Sequence, residues 1–353
     1  MIMPHTKTLI ILSPGFAKNE VDTSCLPAQQ SLVRSMNTLF PSVKIVILAF
    51  QYPFTNHSYE WLGNTVVPFN GKNRGKLYKL LIWLKVWFTL KRISKQEPVM
   101  GLLSFWLGEC AFIGHYFGKR MHLPHFTWVL GQDARESNRY AKLMPLHNTS
   151  LVAMSDFLAK TFYVNYGVKP ANIITHGIEP ELFGKMPLTK DIDIIGVGSL
   201  IPLKRYDLFI DIIALIHEQI PELKVIICGE GPEKEKLQNL IRHYGLENTI
   251  TLTGEKPHAE VLQLMQRSKI LLHTSSYEGF GGVCIEALYA GAHVLSFFKP
   301  MDEWIKHWHV VETNDEMVNF LLEILQSDTI AYEQLLPYRM RDSAMAFMKL
   351  FIS

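Results

Sequence analysis

The sequence predicts an α/β protein built from two consecutive domains, each holding a parallel sheet covered on both faces. Three observations predict it. Short apolar runs alternate with longer amphipathic ones along most of the chain, the pattern of strands followed by crossover helices. The alternation breaks once, at "HGIEPELFGKMPLTKD" (His176–Asp191), which holds two prolines, two glycines and little periodicity, and then restarts. The 353 residues, 48% of them hydrophobic, suffice for two cores of ordinary size.

In chain order, the first half reads as strands at Thr8–Leu12, Lys44–Phe50, Thr127–Leu130, Leu151–Met154 and Asn172–Thr175, with helices at Pro27–Leu39, Phe105–Arg120 and Asp156–Tyr166. The second half is clearer. Strands at Asp193–Val197, Lys224–Cys228, Thr249–Leu252, Ile270–His273 and Val294–Phe297 alternate with helices at Arg205–Glu218, Glu233–Tyr244, Ala259–Arg267 and Gly282–Ala290. The expected boundaries are a first domain at 1–180, a linker at 181–190, a second domain at 191–330 and a tail at 331–353. Both domains are Rossmann-like, and in open parallel sheets ligands bind beyond the carboxyl ends of the strands.

Composition narrows the class. The start, MIMPHTKTLIILSPGF, reads as a first strand and not as a cleavable signal, and no uninterrupted apolar stretch is long enough to span a bilayer. Cys25, Cys110, Cys228 and Cys284 are scattered, which fits a reduced, cytoplasmic protein. Through position 180 there are 19 Lys and Arg against 9 Asp and Glu; the remainder has 16 against 24. The first half should therefore face something acidic: a membrane surface, a phosphorylated lipid or an anionic glycan. No helix-turn-helix, zinc or RNA-binding signature supports nucleic acid. Segment 72–95, "KNRGKLYKLLIWLKVWFTLKRISK", has eight basic residues and no acidic one, with Trp83, Trp87 and Phe88. It is either a peripheral contact with an anionic membrane or a helix on the sheet with a basic rim. Its charges form no clean stripe, and Leu80–Leu84 is apolar on every side.

The chemistry concentrates in "HTSSYEGFGGVCIEALYAGAHVLSF" (His273–Phe297). Glu278 and Glu286 flank the turn Phe280-Gly281-Gly282. The spacing alone means little, since Glu222 with Glu230 and Glu247 with Glu255 repeat it. The context means more. Glycines before a helix let a ligand approach the backbone, and the first amides of the helix, with its dipole, suit a diphosphate. Carboxylates on either side can accept hydrogen bonds from ribose and sugar hydroxyls. That is the shape of a nucleotide-sugar; the alternative is two solvated glutamates beside a turn.

"EGFGGVCIEALYAGAHVL" resembles the Glu-x7-Glu signature of glycosyltransferase family 4. "VGSLIPLKRYDLFI", "CGEGPEKEKL", "ITLTGEKPHAEVLQLMQRSKILLHTSSYEGFG" and the linker "HGIEPELF" resemble family segments in the same order, covering nearly the whole second half; in the first half only "LSPGFA" and the alternation agree. The resemblance implies a GT-B fold, two Rossmann-like domains facing a central cleft with a C-terminal helical tail returning to the first. It implies retaining transfer from a UDP- or GDP-type donor, without a bound metal or other cofactor, to a glycan or lipid-linked acceptor. It also implies roles. Lys204 contacts the diphosphate; Phe280, Gly281, Gly282 and Glu286 hold the nucleotide, with Glu278 on the sugar; Gly15 lies in the loop approaching donor and acceptor; the base rests on backbone near Gly254 and Lys256.

Two departures stand out. Ser199 occupies the place where many members carry Arg, and Arg205 either restores that charge or points elsewhere. After the strand Thr127–Leu130, where many members place a His, this chain has Gln132-Asp133. Asp133 accepts the acceptor hydroxyl's proton, holds a sugar hydroxyl or caps the following helix; no base is needed if the departing phosphate takes the proton. These departures leave open a nucleotide-sugar-binding module without transfer, and the fold leaves open an epimerase or phosphorylase. His176 reads as structural. His115, His122 and His125 lack carboxylate partners at metal-ligand spacing, so no metal is expected. There is neither G-x-G-x-x-G nor Gly-x-Ser-x-Gly.

Overall fold

The structure, a computed structural model, describes residues 7–187 and 189–352; residues 1–6, 353 and position 188 of the expected linker lie outside the described residues. The chain divides into two compact units: the residues up to Gly177 together with those from Met340 onward, and Ile178–Arg339.

Unit 1 runs β1 (Lys7–Gly15), α1 (Pro27–Leu39), β2 (Val43–Tyr52), β3 (Tyr59–Trp61), β4 (Asn64–Pro68), α2 (Lys76–Gln96), β5 (Val99–Phe105), α3 (Glu109–Met121), β6 (His125–Val129), α4 (Arg139–Leu143), β7 (Leu151–Ala153), α5 (Asp156–Tyr166) and β8 (Asn172–Ile173). Its sheet has the order β3-β4-β2-β1-β5-β6-β7-β8 and is parallel apart from the β3–β4 hairpin. Unit 2 runs β9 (Ile192–Val197), α6 (Tyr206–His217), β10 (Val225–Cys228), α7 (Lys234–His243), β11 (Ile250–Gly254), α8 (His258–Arg267), β12 (Ser268–His273), α9 (Gly282–Tyr289), β13 (His293–Ser296), β14 (Trp308–Val310) and α10 (Asn314–Gln326). Its sheet, β11-β10-β9-β12-β13-β14, is wholly parallel among the described residues. The last helix, α11 (Met340–Ile352), returns to unit 1.

Both faces of the first sheet are covered, as continuous apolar strands require. Ile10, Leu12, Val46 and Leu48 face α2 and α3. Leu9, Ile11, Ile45 and Ile47 face the other way, into a core shared with α1 and with Met340, Phe347 and Phe351 of α11. Trp128 meets the Phe347 ring edge-on at 5.0 Å, and Ser343 Oγ donates to the Thr175 carbonyl at 2.8 Å.

The central strand β5 escapes the sequence pattern, and the helix expected from Phe105 begins only at Glu109. "VMGLLSFWLG" is apolar apart from Ser104 and the glycines, so no change of period marks where strand ends and helix begins. Gly101 further obscures it: a Cβ there would lie 2.5 Å from the Phe351 ring, so the missing side chain makes room for α11. The β3–β4 hairpin, also unanticipated, turns on Leu62-Gly63, both with positive φ.

Candidate active site

Strand order defines where unit 2 can bind a ligand. From β9 the chain first builds outward through β10 to β11, then crosses to the other side of β9 with β12, β13 and β14. The loops after β9 and β12 therefore diverge at the sheet's carboxyl edge, the position where doubly wound sheets open a crevice. The loop after β9 carries Ser199, Lys204 and Arg205; the loop after β12 carries Glu278 and the glycines.

These two loops are clamped together. Thr274 Oγ1, just past β12, donates to the carbonyls of Lys204 and Arg205 at 2.9 and 3.0 Å. The Ser276 N–H and hydroxyl both donate to the Leu203 carbonyl, at 3.0 and 3.2 Å. Lys204 closes the single 3-10 turn Pro202–Lys204, and its ammonium lies 2.5 Å from Glu278 Oε1. His273 Nε2 reaches the same oxygen at 3.2 Å. Burial pushes the Glu278 carboxyl up, but the His273 hydrogen bond and the Lys204 charge outweigh it and hold it at about 2. Burial likewise lowers His273, only partly offset by Glu278, so the imidazole is neutral and donates its Nε2 proton. Lys204, expected on the diphosphate, and Glu278, expected on the sugar, thus form one mostly buried ion pair.

α9 starts at Gly282, and among the described residues no side chain caps its first turn. Gly281 precedes it at φ 78°, where a Cβ would lie 2.6 Å from the Phe298 ring and 3.2 Å from Cys284 Sγ. Only glycine fits on both grounds. Phe280, fully buried, meets Tyr338 edge-on at 5.7 Å and anchors the turn from beneath. One turn into α9, Glu286 Oε1 lies 2.9 Å from Nε2 of His258, the first residue of α8. Glu286 is thereby aimed towards the end of β11, where Gly254 turns with φ 75°. Lys256 pairs with Glu260, one turn on, at 3.4 Å. Ser199 and Arg205 are exposed; the Arg205 charge acts on Asp207 and is not brought to the Lys204–Glu278 pair.

In unit 1, Gly15 ends β1 in register with Tyr52. The loop that follows is folded around Asp22, whose carboxylate accepts the N–H groups of Lys18 and Cys25 and the Tyr52 hydroxyl. Asp133 is buried, and its carboxylate accepts three main-chain N–H groups: Leu107 at 2.8 Å, Leu130 at 3.1 Å and Gly131 at 2.7 Å. It clasps the loop after β6 to the loop after β5. Asn138, not Asp133, caps the following helix, with Oδ1 accepting from Tyr140 N at 2.9 Å. His176 is buried. His125 stands 2.8 Å from Ser104 Oγ, and burial lowers it to about 3. Among the described residues no group of three or more His, Cys, Asp or Glu is placed to hold a metal ion.

Sequence reasoning did not single out His273, Thr274, Ser276 or His258. The first three were legible as a polar run closing an apolar strand five residues or fewer before Glu278. Nothing local connects 258 with 286.

Residues 179–336 match the family model described as glycosyl transferases group 1. Over 131 residues the chain is 32% identical to the phosphatidylinositol N-acetylglucosaminyltransferase gpi3 subunit of Schizosaccharomyces pombe, covering 36% of this chain and 29% of that one. Over 186 residues it is 29% identical to the 2-deoxystreptamine N-acetyl-D-glucosaminyltransferase of Niallia circulans, covering 50% of this chain and 43% of that one. The matches thus span less than half the length of these relatives. Among solved structures, TarM superposes with a TM-score of 0.73 at 14% identity, over 98% of this chain and 99% of that one. HepE of Anabaena, solved with UDP and glucose, does so with a TM-score of 0.67 at 17% identity, over 97% and 94%. What is shared at such identity is the GT-B fold, α/β units built on parallel sheets.

Proposed function

We propose that this chain, whose residues 179–336 belong to the group 1 glycosyltransferases, is a retaining, family 4 enzyme that moves a sugar from a nucleotide-sugar to a glycan or lipid-linked acceptor. The observation that carries the reading is the convergence of Lys204, Glu278 and the uncapped start of α9 at the point where the strand order of unit 2 reverses. The names of the relatives and the UDP in the solved complexes support UDP-N-acetylglucosamine as the first donor to test.

The chemical task is to break the bond between an anomeric carbon and a diphosphate. Negative charge grows on the leaving group as the bond stretches, so cations and amides fixed there stabilise the transition state more than the ground state. The α9 amides and Lys204 supply that charge. Glu278 stays ionised beside Lys204, so it holds the ammonium in place while its other oxygen accepts a sugar hydroxyl. Glu286, held by His258, accepts the ribose hydroxyls. The departing phosphate takes the acceptor proton, so the reading needs no base at Asp133, no metal and no other cofactor. A lipid-borne acceptor would bring the protein to an anionic surface, in keeping with the basic first half of the chain.

The test is product formation from labelled UDP-N-acetylglucosamine, UDP-glucose and GDP-mannose with glycan and lipid-linked acceptors, the anomeric configuration being read by NMR. Transfer with retention supports the reading. Donor binding without turnover across that set would favour a binding module instead, a reading motivated by exposed Ser199 and by the backbone-bound Asp133.

A further inference from the structure

α2 is a helix whose two faces are both apolar, and only one of them is covered. Ile82, Val86, Leu90 and Ile93 are buried in the unit 1 core. On the opposite side Leu77 is 83% exposed, Leu80 53%, Leu81 54%, Leu84 47% and Phe88 65%. Their spacing, at i, i+3, i+4, i+7 and i+11, places all five within about 100° of the helix circumference. The mixed pattern of 72–95 is thereby explained: a core stripe and an outer stripe share one helix, so the segment reads as apolar on every side.

Charge surrounds the outer stripe. Lys91 and Lys95 continue the same arc towards the carboxyl end, and Lys85 and Arg92 line one flank; all four are exposed. In the loop that leads into α2, Lys72 lies 5.2 Å from the ring centroid of Phe54, itself 60% exposed. Segment 72–95 contains no acidic residue.

We infer that this face of α2 docks the protein on an anionic lipid bilayer, the helix lying in the plane of the interface. The stripe inserts among the acyl-chain ends, and the lysines and arginines meet the headgroup phosphates. Charge selects this occupant. A second copy of the chain would oppose one set of cations to another, which is repulsive. Nucleic acid would answer the charge but leave five aliphatic and aromatic side chains without a base-stacking geometry. A bilayer answers both, and among the described residues no helix is long and apolar enough to cross it. The inference does not depend on the donor site, and vesicle binding reads it without any sugar transfer.

The experiment is flotation of the full chain with phosphatidylcholine vesicles, with and without one part in about four of phosphatidylglycerol. Three proteins are compared: the unaltered chain, Leu81→Ser/Leu84→Ser/Phe88→Ser, and Lys91→Gln/Lys95→Gln. The unaltered chain should float with the anionic vesicles. The triple variant should partition at least roughly tenfold less at any salt concentration, because apolar insertion is lost. The lysine variant should partition about fivefold to tenfold less at low salt and converge on the unaltered chain at high salt. Thermal melts of the variants should match, since the altered side chains face solvent. Failure of the unaltered chain to float, or equal partition of the triple variant, would overturn the inference. So would a dimer seen by analytical ultracentrifugation that the triple variant abolishes, because the stripe would then be a self-association face.

Discussion

Glu278 is a carboxylate that burial pushes towards its neutral form, and two neighbours keep it charged. Its pair with Lys204 fixes what each can contribute: the ammonium cannot drift towards solvent, and the carboxylate presents a fixed acceptor. Lys204→Met should therefore lower kcat by about 10²–10³-fold while changing donor binding much less, as removal of one transition-state charge donor does; steady-state rates and calorimetric UDP titration separate the two effects. Glu286→Ala should weaken UDP binding by roughly tenfold through loss of charge-assisted hydrogen bonds, and His258→Ala should do so to a smaller extent by freeing Glu286 to swing; calorimetry of both variants checks the order. Lys204, Glu278 and Glu286 were readable because each sits at a fixed distance from a glycine turn. His258 was not, because its partner lies 28 residues away on another helix, and no local rule joins them.

At the scale of the element, the start of α9 depends on a residue without a side chain. Gly281→Ala adds a methyl into the Phe298 ring and forces alanine to a left-handed φ. It should destabilise the protein by about 1–3 kcal/mol and abolish donor binding, as thermal melting with and without UDP would show. Helices and strands of the second half up to β13 were legible because their periods alternate cleanly between turns, whereas β14 and α10 were not anticipated. In the first half β5 was lost in an unbroken apolar run, and the outer stripe of α2 was masked by its inner one. Both are failures of periodicity to distinguish two faces that are apolar for different reasons. Asp133 illustrates the converse: a polar residue after a strand has several possible duties, and its burial among the amides of Leu107, Leu130 and Gly131, invisible in the sequence, is what distinguishes them.

For the whole molecule, histidines buried in the neutral form make stability fall in weak acid. Burial lowers His125 to about 3 and His293 to about 4, and it depresses His307 and His309 as well. His293 donates through Nε2 to the Ala331 carbonyl at 3.1 Å and accepts at Nδ1 from His309, also at 3.1 Å. A proton on Nδ1 would set two donors against each other. The unfolded chain takes up these protons near the ordinary value of 6.5, the folded one only below about 4 for His293. Stability should thus be full above pH 6.5, fall as pH is lowered towards 4, and flatten below for this group. Urea midpoints across that range should show the slope, and His293→Gln should make it shallower. The strand order that creates the site was beyond the reach of the sequence, which reports alternation but not which strands lie side by side.

The return of α11 carries a consequence for how the polypeptide matures. Met340, Ala344, Phe347, Met348 and Phe351 complete a core whose other members lie before position 178. A ribosome delivers those five only after the whole intervening unit has emerged, so the earlier portion must wait with this face of its sheet covered by α1 alone. Unit 2, contiguous in the chain, can settle first; unit 1, though begun earlier, closes last.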